Sequence, residues 1–164
     1  MARILKVDEI APDFKRYLIE APVISTRHKA GQFVIVLLSE LGERIPLTIA
    51  ASDALHGTIT LVVQEVGKTT MEMGCLRPGD SLRVVGPLGK PTHIEKLGTC
   101  VCIGGGCGIA PLLPIARANR DAGNFVVSIL GGRTKELVIL QPEIEAVSDE
   151  VYLTTDDGSL GSKG

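Results

Sequence analysis

The sequence predicts two halves, an antiparallel β-barrel over residues 1–96 and then a parallel α/β unit over 97–164 that is incomplete at its C-terminal end. Three observations lead there. Up to about Lys96, runs rich in Ile, Leu and Val are short and separated by turn residues, the spacing of a small all-β barrel. From Gly98 onward, strand-like apolar runs alternate with helix-compatible runs, the rhythm of a parallel sheet. Between the first such strand and the first such helix stand three consecutive glycines, Gly104-Gly105-Gly106.

In the first half, strands are predicted over 2–7, 14–20, 32–38, 44–50, 58–64 and 81–85. Turns between them are supplied by Ala-Pro-Asp, Lys-Ala-Gly, Leu41-Gly42-Glu43, Leu-His-Gly and Arg-Pro-Gly-Asp, all rich in residues that favour reversals. The one helical candidate, 68–76, follows Gly67 directly. Gly86-Pro87-Leu88-Gly89-Lys90-Pro91 joins the halves. In the second half, strands are predicted over 99–103, 125–130 and 150–154, and helices over 109–122 and 141–147. Pro111 and Pro114 fall in the first turns of the longer helix, where a missing N–H costs little, and Gly123 ends it. Three parallel strands and a loop-like end at 160–164 read as a fragment. An uncovered sheet edge then predicts self-association or a mobile C-terminal end.

Composition narrows the function. A 45% apolar content supports a core, while nineteen glycines and five aromatic residues indicate tight turns and an aliphatic interior. A net charge of −2, spread without long runs, argues against nucleic acid or an anionic membrane as partner. The longest apolar run, 33–38, is too short to span a bilayer, and no apolar segment follows a basic start, so the chain reads as cytoplasmic. Cys102 and Cys107 have the spacing that begins a plant-type iron–sulfur motif, but no Cys follows to continue it. Cys100 and Cys102 share a strand face and read as small core residues, and no metal site is assigned. His28, His56 and His93 fall in predicted turns and receive no chemistry.

The run Gly104-Gly105-Gly106-Cys107-Gly108 carries the sharpest chemical signal. Glycines let the backbone turn tightly and approach a ligand, and the following helix aims free N–H groups into that space. This suits a dinucleotide phosphate. The spacing lacks the third glycine of G-x-G-x-x-G, because Ile109 stands there, so an unliganded strand–helix turn fits the same residues.

An ordered set of motifs covers the whole chain: Arg44-Ile45-Pro46-Leu47-Thr48-Ile49-Ala50, Val66-Gly67-Lys68-Thr69-Thr70, Gly86-Pro87-Leu88-Gly89, the 104–111 loop, Gly131-Gly132-Arg133-Thr134, and Thr155-Asp156-Asp157-Gly158-Ser159-Leu160-Gly161. In this order they resemble the ferredoxin–NADP reductase superfamily. Within it they are most similar to the electron-transfer subunits of dihydroorotate dehydrogenase, of sulfide dehydrogenase, and of NADH-dependent ferredoxin:NADP oxidoreductase (its alpha subunit). The resemblance implies an FAD-binding β-barrel followed by a truncated Rossmann-like, NAD(P)-binding domain.

It also implies roles. Arg44, Pro46, Leu47 and Thr48 match the flavin strand, with the Thr48 hydroxyl near the reactive N5. Val62, Val63 and Gln64 match the strand lining flavin and ribityl chain; Gly67, Thr69 and Thr70 match the pyrophosphate site, where simple helix capping is the ordinary alternative. The family's Arg three residues before the Ser or Thr is Ile45 here; Arg44 stands one position earlier and would face the other way on a regular strand. Gly104, Gly105, Gly106 and Gly108 would cradle the dinucleotide, Cys107 would stand where nicotinamide meets flavin, and Arg133, Asp156 and Asp157 would face the nucleotide. An Arg at position 133 suits a 2′-phosphate, yet similar proteins with Gly-Gly-Arg use NADH; the choice stays open with a lean to NAD(H).

The implied activity is an FAD relay between NAD(P)H and an iron–sulfur acceptor, ferredoxin or a partner oxidoreductase subunit, with Thr48 and Cys107 at the reacting rings. A [2Fe–2S] cluster is implied only beyond residue 164. Two alternatives stand beside it: an electron-transfer subunit serving dihydroorotate dehydrogenase in pyrimidine synthesis, and a non-catalytic nucleotide-binding or interaction module, which Ile45 favours.

Overall fold

The computed structural model describes residues 1–40 and 42–164; of the predicted 41–43 turn, Leu41 lies outside the described residues. The chain divides into two compact units, Met1–Pro91 and Thr92–Gly164.

The first unit is built on six strands: β1 (Ala2–Ala11), β2 (Phe14–Glu20), β3 (Phe33–Leu37), β4 (Ile45–Asp53), β5 (Thr58–Gln64) and β6 (Ser81–Leu88). They close into an antiparallel barrel in the order β1-β2-β5-β4-β3-β6. Period-2 alternation sends Tyr17, Ile19, Val34, Val36, Ile49, Ile59, Leu61 and Val63 inward, where they form one aliphatic core with Ile4 and Leu82. Register shifts after Ile4 in β1 and after Ile49 in β4 bend the strands enough to close the ring. Two short helices seal the ends. Helix α1 (Pro22–Ser25), absent from the sequence reading, follows Glu20 and inserts Ile24 into the core. Helix α2 (Lys68–Gly74) reaches the other end, where Met73 enters the core, its carbonyl accepts the Tyr17 hydroxyl at 3.0 Å, and Lys15 Nζ donates to Gly74 O at 2.8 Å.

The second unit contains β7 (Thr99–Gly105), α3 (Ile109–Asp121), β8 (Phe125–Gly132), α4 (Gln141–Glu145), β9 (Glu150–Thr155) and β10 (Ser162–Lys163). All four strands are parallel, in the order β10-β9-β8-β7. The fourth strand corrects the expectation of three strands and a loop-like end. Gly161, at φ +65, turns the chain against β9 where a Cβ would overlap the Leu153 carbonyl; Thr154 Oγ1 then donates to Ser162 O at 2.9 Å.

Helix α3 packs Ile109, Leu113 and Ala116 on β7 and β8, and α4 packs on β9. Pro111 sits in the first turn as expected. Pro114 lies inside the helix, so its missing N–H leaves the Ala110 carbonyl without its helical partner. Asn124 fixes the approach to β7. Its Oδ1 accepts from Leu97 N at 2.6 Å and Gly98 N at 3.0 Å, and its Nδ2 donates to Glu95 O at 2.8 Å. Residues 92–96, expected with the barrel, stand in the second compact unit.

Candidate functional site

On β4, alternation separates the expected flavin residues. Ile45 and Leu47 turn toward the barrel core, while Pro46 and Thr48 face outward. On β5, Val63 belongs to the core and Val62 and Gln64 lie on the outward side. Thr48 and Val62 each stand one residue from the Ile49–Leu61 pair, on the strands' outer face. The side chains of Leu47 and Val63 are therefore removed from any outer-face ligand, because a period of two cannot present three consecutive residues to one side. Thr48 pairs across with Phe33, and Phe33 with Leu88, which continues an apolar outer row next to it.

The expected diphosphate residues lie at the start of α2. Gly67 is the N-cap, and a Cβ there would have only Thr70 Oγ1, 3.9 Å away, near it. Thr70 Oγ1 accepts from Gly67 N at 2.9 Å and donates to Gly67 O at 3.0 Å, so this hydroxyl caps its own helix. Thr69 is 7% exposed and donates to Glu43 Oε2 at 2.6 Å. Both hydroxyls are already committed. The groups left to meet an anion are the amides of the first turn, which have no intrahelical acceptor. Arg44 is exposed and adjacent to Glu43 in sequence, while Ile45 is turned inward. Glu43 carried no signal in sequence: its partner lies 26 residues away.

In the second unit, the expected nucleotide residues converge on the carboxyl ends of β7, β8 and β9, the edge where open parallel sheets take ligands. Gly105 pairs with Gly131, Gly131 with Thr154 and Gly132 with Thr155. Gly106, Cys107 and Gly108 form a 3-10 turn leading into α3. The glycines divide by role. A Cβ at Gly104 would meet Gly108 O at 3.0 Å and Leu112 Cδ2 at 3.1 Å, so Gly104 serves helix–strand packing. At Gly106, with φ +50, and at Gly108 a Cβ would meet nothing within 4 Å; these two leave open space for a ligand. Cys107 is exposed on the same turn, and partial burial of its thiol raises its pKa. Burial likewise raises the Cys102 thiol, while Cys100 donates to Asn119 Oδ1 at 3.2 Å.

The loops after β8 and β9 are stitched together. Asp156 N donates to Gly132 O at 3.1 Å, Asp157 N to Arg133 O at 3.3 Å, and Lys135 N to Ser159 Oγ at 2.9 Å. Asp157 Oδ1 accepts from Ser159 Oγ at 2.6 Å and from Ser159 N at 2.9 Å, which holds its carboxyl below the ordinary range. Asp157 thus shapes its own turn and keeps Asp156 and Arg133 on one edge. No group of three or more His, Cys, Asp or Glu able to hold a metal occurs among the described residues. His28 Nδ1 lies 2.8 Å from Ser52 Oγ, and burial lowers the imidazole pKa.

Residues 1–93 match the family of oxidoreductase FAD-binding domains. A protein of Thermotoga maritima, a homolog of the dihydroorotate dehydrogenase B (NAD(+)) electron transfer subunit, is 48% identical over 98% of this chain and 57% of its own length. The corresponding electron transfer subunit of Streptococcus pneumoniae is 32% identical over 99% of this chain and 64% of its own length. A solved structure of an NADH-dependent reduced ferredoxin-NADP oxidoreductase, studied for flavin-based electron bifurcation, superposes with TM-score 0.94. It is 44% identical and covers all of this chain, which spans 59% of that one. The chain therefore spans about three-fifths of the length of these relatives.

Proposed function

Since the chain belongs to the family of oxidoreductase FAD-binding domains, we propose that it passes electrons between NAD(P)H and an iron–sulfur acceptor, a ferredoxin or a partner subunit, through FAD. The observation that carries this reading is the outer face of the barrel. Pro46 and Thr48 on β4 and Val62 and Gln64 on β5 all face outward, and the entrance of β4 is hydrogen-bonded to the start of α2. An extended dinucleotide needs such a strip: an apolar wall with one hydroxyl at one end, and amides with a cation at the other.

In this reading Thr48 orients the flavin ring through its hydroxyl, while Val62 and Gln64 line it. The first-turn amides of Lys68, Thr69 and Thr70, together with Arg44, hold the diphosphate. Bound there, FAD supplies the conversion of a two-electron hydride donor into single-electron steps. On the second unit, Gly106 and Gly108 admit the dinucleotide phosphates, Arg133 and Asp156 receive the adenosine end, and Cys107 meets the nicotinamide. In this reading the first unit, Met1–Pro91, is the FAD-binding domain and the second, Thr92–Gly164, the NAD(P)-binding domain. A second reading, service to a dihydroorotate dehydrogenase, is favoured by the names of the two curated relatives. The sequence Arg44-Ile45-Pro46-Leu47-Thr48 and the 44% identical ferredoxin-NADP oxidoreductase favour the ferredoxin-linked one.

Two variants test the assignment. Thr70→Glu keeps a capping residue at this helix position but sets a carboxylate against the diphosphate, and should lower FAD retention on purification and in reconstitution titrations. Gly108→Ala adds a methyl group into open space at φ −67, so the fold tolerates it. It should raise the NADH concentration needed to bleach the flavin while leaving FAD content unchanged. Unaltered FAD affinity in Thr70→Glu would falsify the diphosphate site. Reduction of a ferredoxin but not of a dihydroorotate-linked partner separates the two acceptor readings.

A further inference from the structure

We propose that Glu43 is a positioning residue for flavin binding: its hydrogen bond from Thr69 ties the entrance of β4 to the Gly67–Thr70 turn and thereby holds Arg44 at the diphosphate. The inference rests on the reading that the diphosphate lies at that turn. The ladder between β3 and β4 begins at the Val36–Ile45 pair, so residues 42–44 run ahead of any sheet pairing. Among the described residues, two hydrogen bonds hold that segment: Gly42 N to Ser39 O at 3.0 Å, and Thr69 Oγ1 to Glu43 Oε2 at 2.6 Å. The first is local to its own turn. The second crosses to α2 and is the one that fixes where the segment goes.

The consequence for Arg44 is geometric. Consecutive Cα atoms are only ~3.8 Å apart, so a tethered Glu43 keeps the Arg44 backbone close to α2, and the long guanidinium arm covers the remaining distance. This resolves a mismatch in the sequence. Ile45 occupies the position where the resembling family carries its arginine, and the structure turns Ile45 into the core. The cation one position earlier can serve only if its backbone is anchored. The anchor has the strength for it, because a short hydroxyl–carboxylate bond is charge-assisted, and Thr69, 7% exposed, has its hydroxyl shielded from water. Glu43 carries the cost of a negative charge near a diphosphate, and the adjacent Arg44 offsets it.

The test compares Glu43→Ala, Glu43→Gln, Thr69→Val and the Glu43→Ala/Thr69→Val pair in flavin-stripped protein, titrated separately with FAD and with riboflavin. Glu43→Ala and Thr69→Val should each weaken FAD binding roughly tenfold, the size expected for one hydrogen bond to a charged group. The pair should be no worse than either single change, since one bond is lost in all three. Glu43→Gln keeps an acceptor and should stay within about threefold of the parent. Riboflavin has no diphosphate, and its affinity should not move in any variant. Tighter FAD binding in Glu43→Ala would show a repelling competitor instead of an anchor, and equal losses for FAD and riboflavin would show general damage to the fold; either result overturns the proposal, as does unchanged FAD affinity. Should Thr70→Glu weaken FAD binding while Glu43→Ala does not, the diphosphate site stands and only the anchor is wrong. Should neither change it, the site itself is misplaced.

Discussion

Inward positions of the barrel such as Tyr17, Ile19, Val34, Ile49, Ile59 and Leu61 are all fully buried, whereas the parallel sheet buries one face and leaves the other to solvent. On its covered face Val126, Ser128 and Leu130 are fully buried beneath the helices. On the opposite face Val101 is 58%, Ile103 70%, Phe125 45% and Tyr152 56% exposed. The difference follows from topology. A closed barrel has one inside, and one alternating set of side chains fills it. An open parallel sheet has two faces, both apolar in sequence, and α3 and α4 cover one. Site placement follows the same division: the barrel presents its candidate residues on an outer wall, and the sheet presents them at strand ends.

The strongest way to break this comparison is to cut equal volumes from the two surfaces. Leu61→Ala in the barrel core should cost roughly 2–5 kcal/mol in urea unfolding, while Ile103→Ala on the bare sheet face should change stability by less than about 0.5 kcal/mol. Comparable losses would mean that the bare face is packed in solution.

A second effect belongs to the barrel alone. Burial pushes the Tyr17 phenol up to about 12 from its ordinary value of 10.0. The folded state then holds the proton more tightly than the unfolded chain, so the associated stability is complete below pH 10 and declines between pH 10 and 12. At 1.36 kcal/mol per unit, the decline is roughly 3 kcal/mol. Unfolding curves across that range should show it, and Tyr17→Phe should flatten it.

Glycines sharpen the contrast at smaller cost. A Cβ at Gly86 in β6 would approach Val34 Cγ1 to 2.7 Å and Phe33 O to 3.2 Å, so Gly86→Ala should destabilise by about 1–3 kcal/mol. Gly108→Ala, with open space around it, should leave the melting temperature unchanged and act on dinucleotide binding alone. A calorimetric comparison of the two decides this.

The smallest expected effect concerns His28, whose pKa is lowered by burial. A depressed imidazole favours the folded state above the ordinary pKa near 6.5 and withdraws that stability as pH falls. Acid-side unfolding should therefore be shallower in His28→Gln. An unchanged pH profile would show that the ring is solvated.

The sequence was most legible where pattern and geometry coincide. Alternating Ile, Leu and Val gave the six barrel strands, and the switch to strand–helix alternation at Gly98 gave the parallel sheet, because both are local periodicities. The strand-end positions of the candidate residues were legible for the same reason: Gly106, Cys107 and Gly108 follow one strand, and Arg133 and Asp156 follow the next two. What the chain could not display locally was direction and partnership. Leu47 and Val63 belong to matching motifs yet face the core, a fact set by which residue first enters the barrel. Gly104 looked like its neighbours and proved to be a packing residue against Leu112. The two-residue strand β10 exists because Thr154 and Thr155 offer it a ladder, not because Ser162 and Lys163 favour one.

By itself, then, the sequence determined the two periodicities, the order of the motifs, and the turn residues that place a glycine loop after a strand, since these depend on neighbours along the chain. Only the tertiary structure decided that Thr69 spends its hydroxyl on Glu43, that Ile45 turns into the core while Arg44 stays exposed, and that one sheet face stays bare. Those outcomes depend on contacts between residues far apart in sequence, and on the strand register that brings them together, for which no local pattern is a substitute.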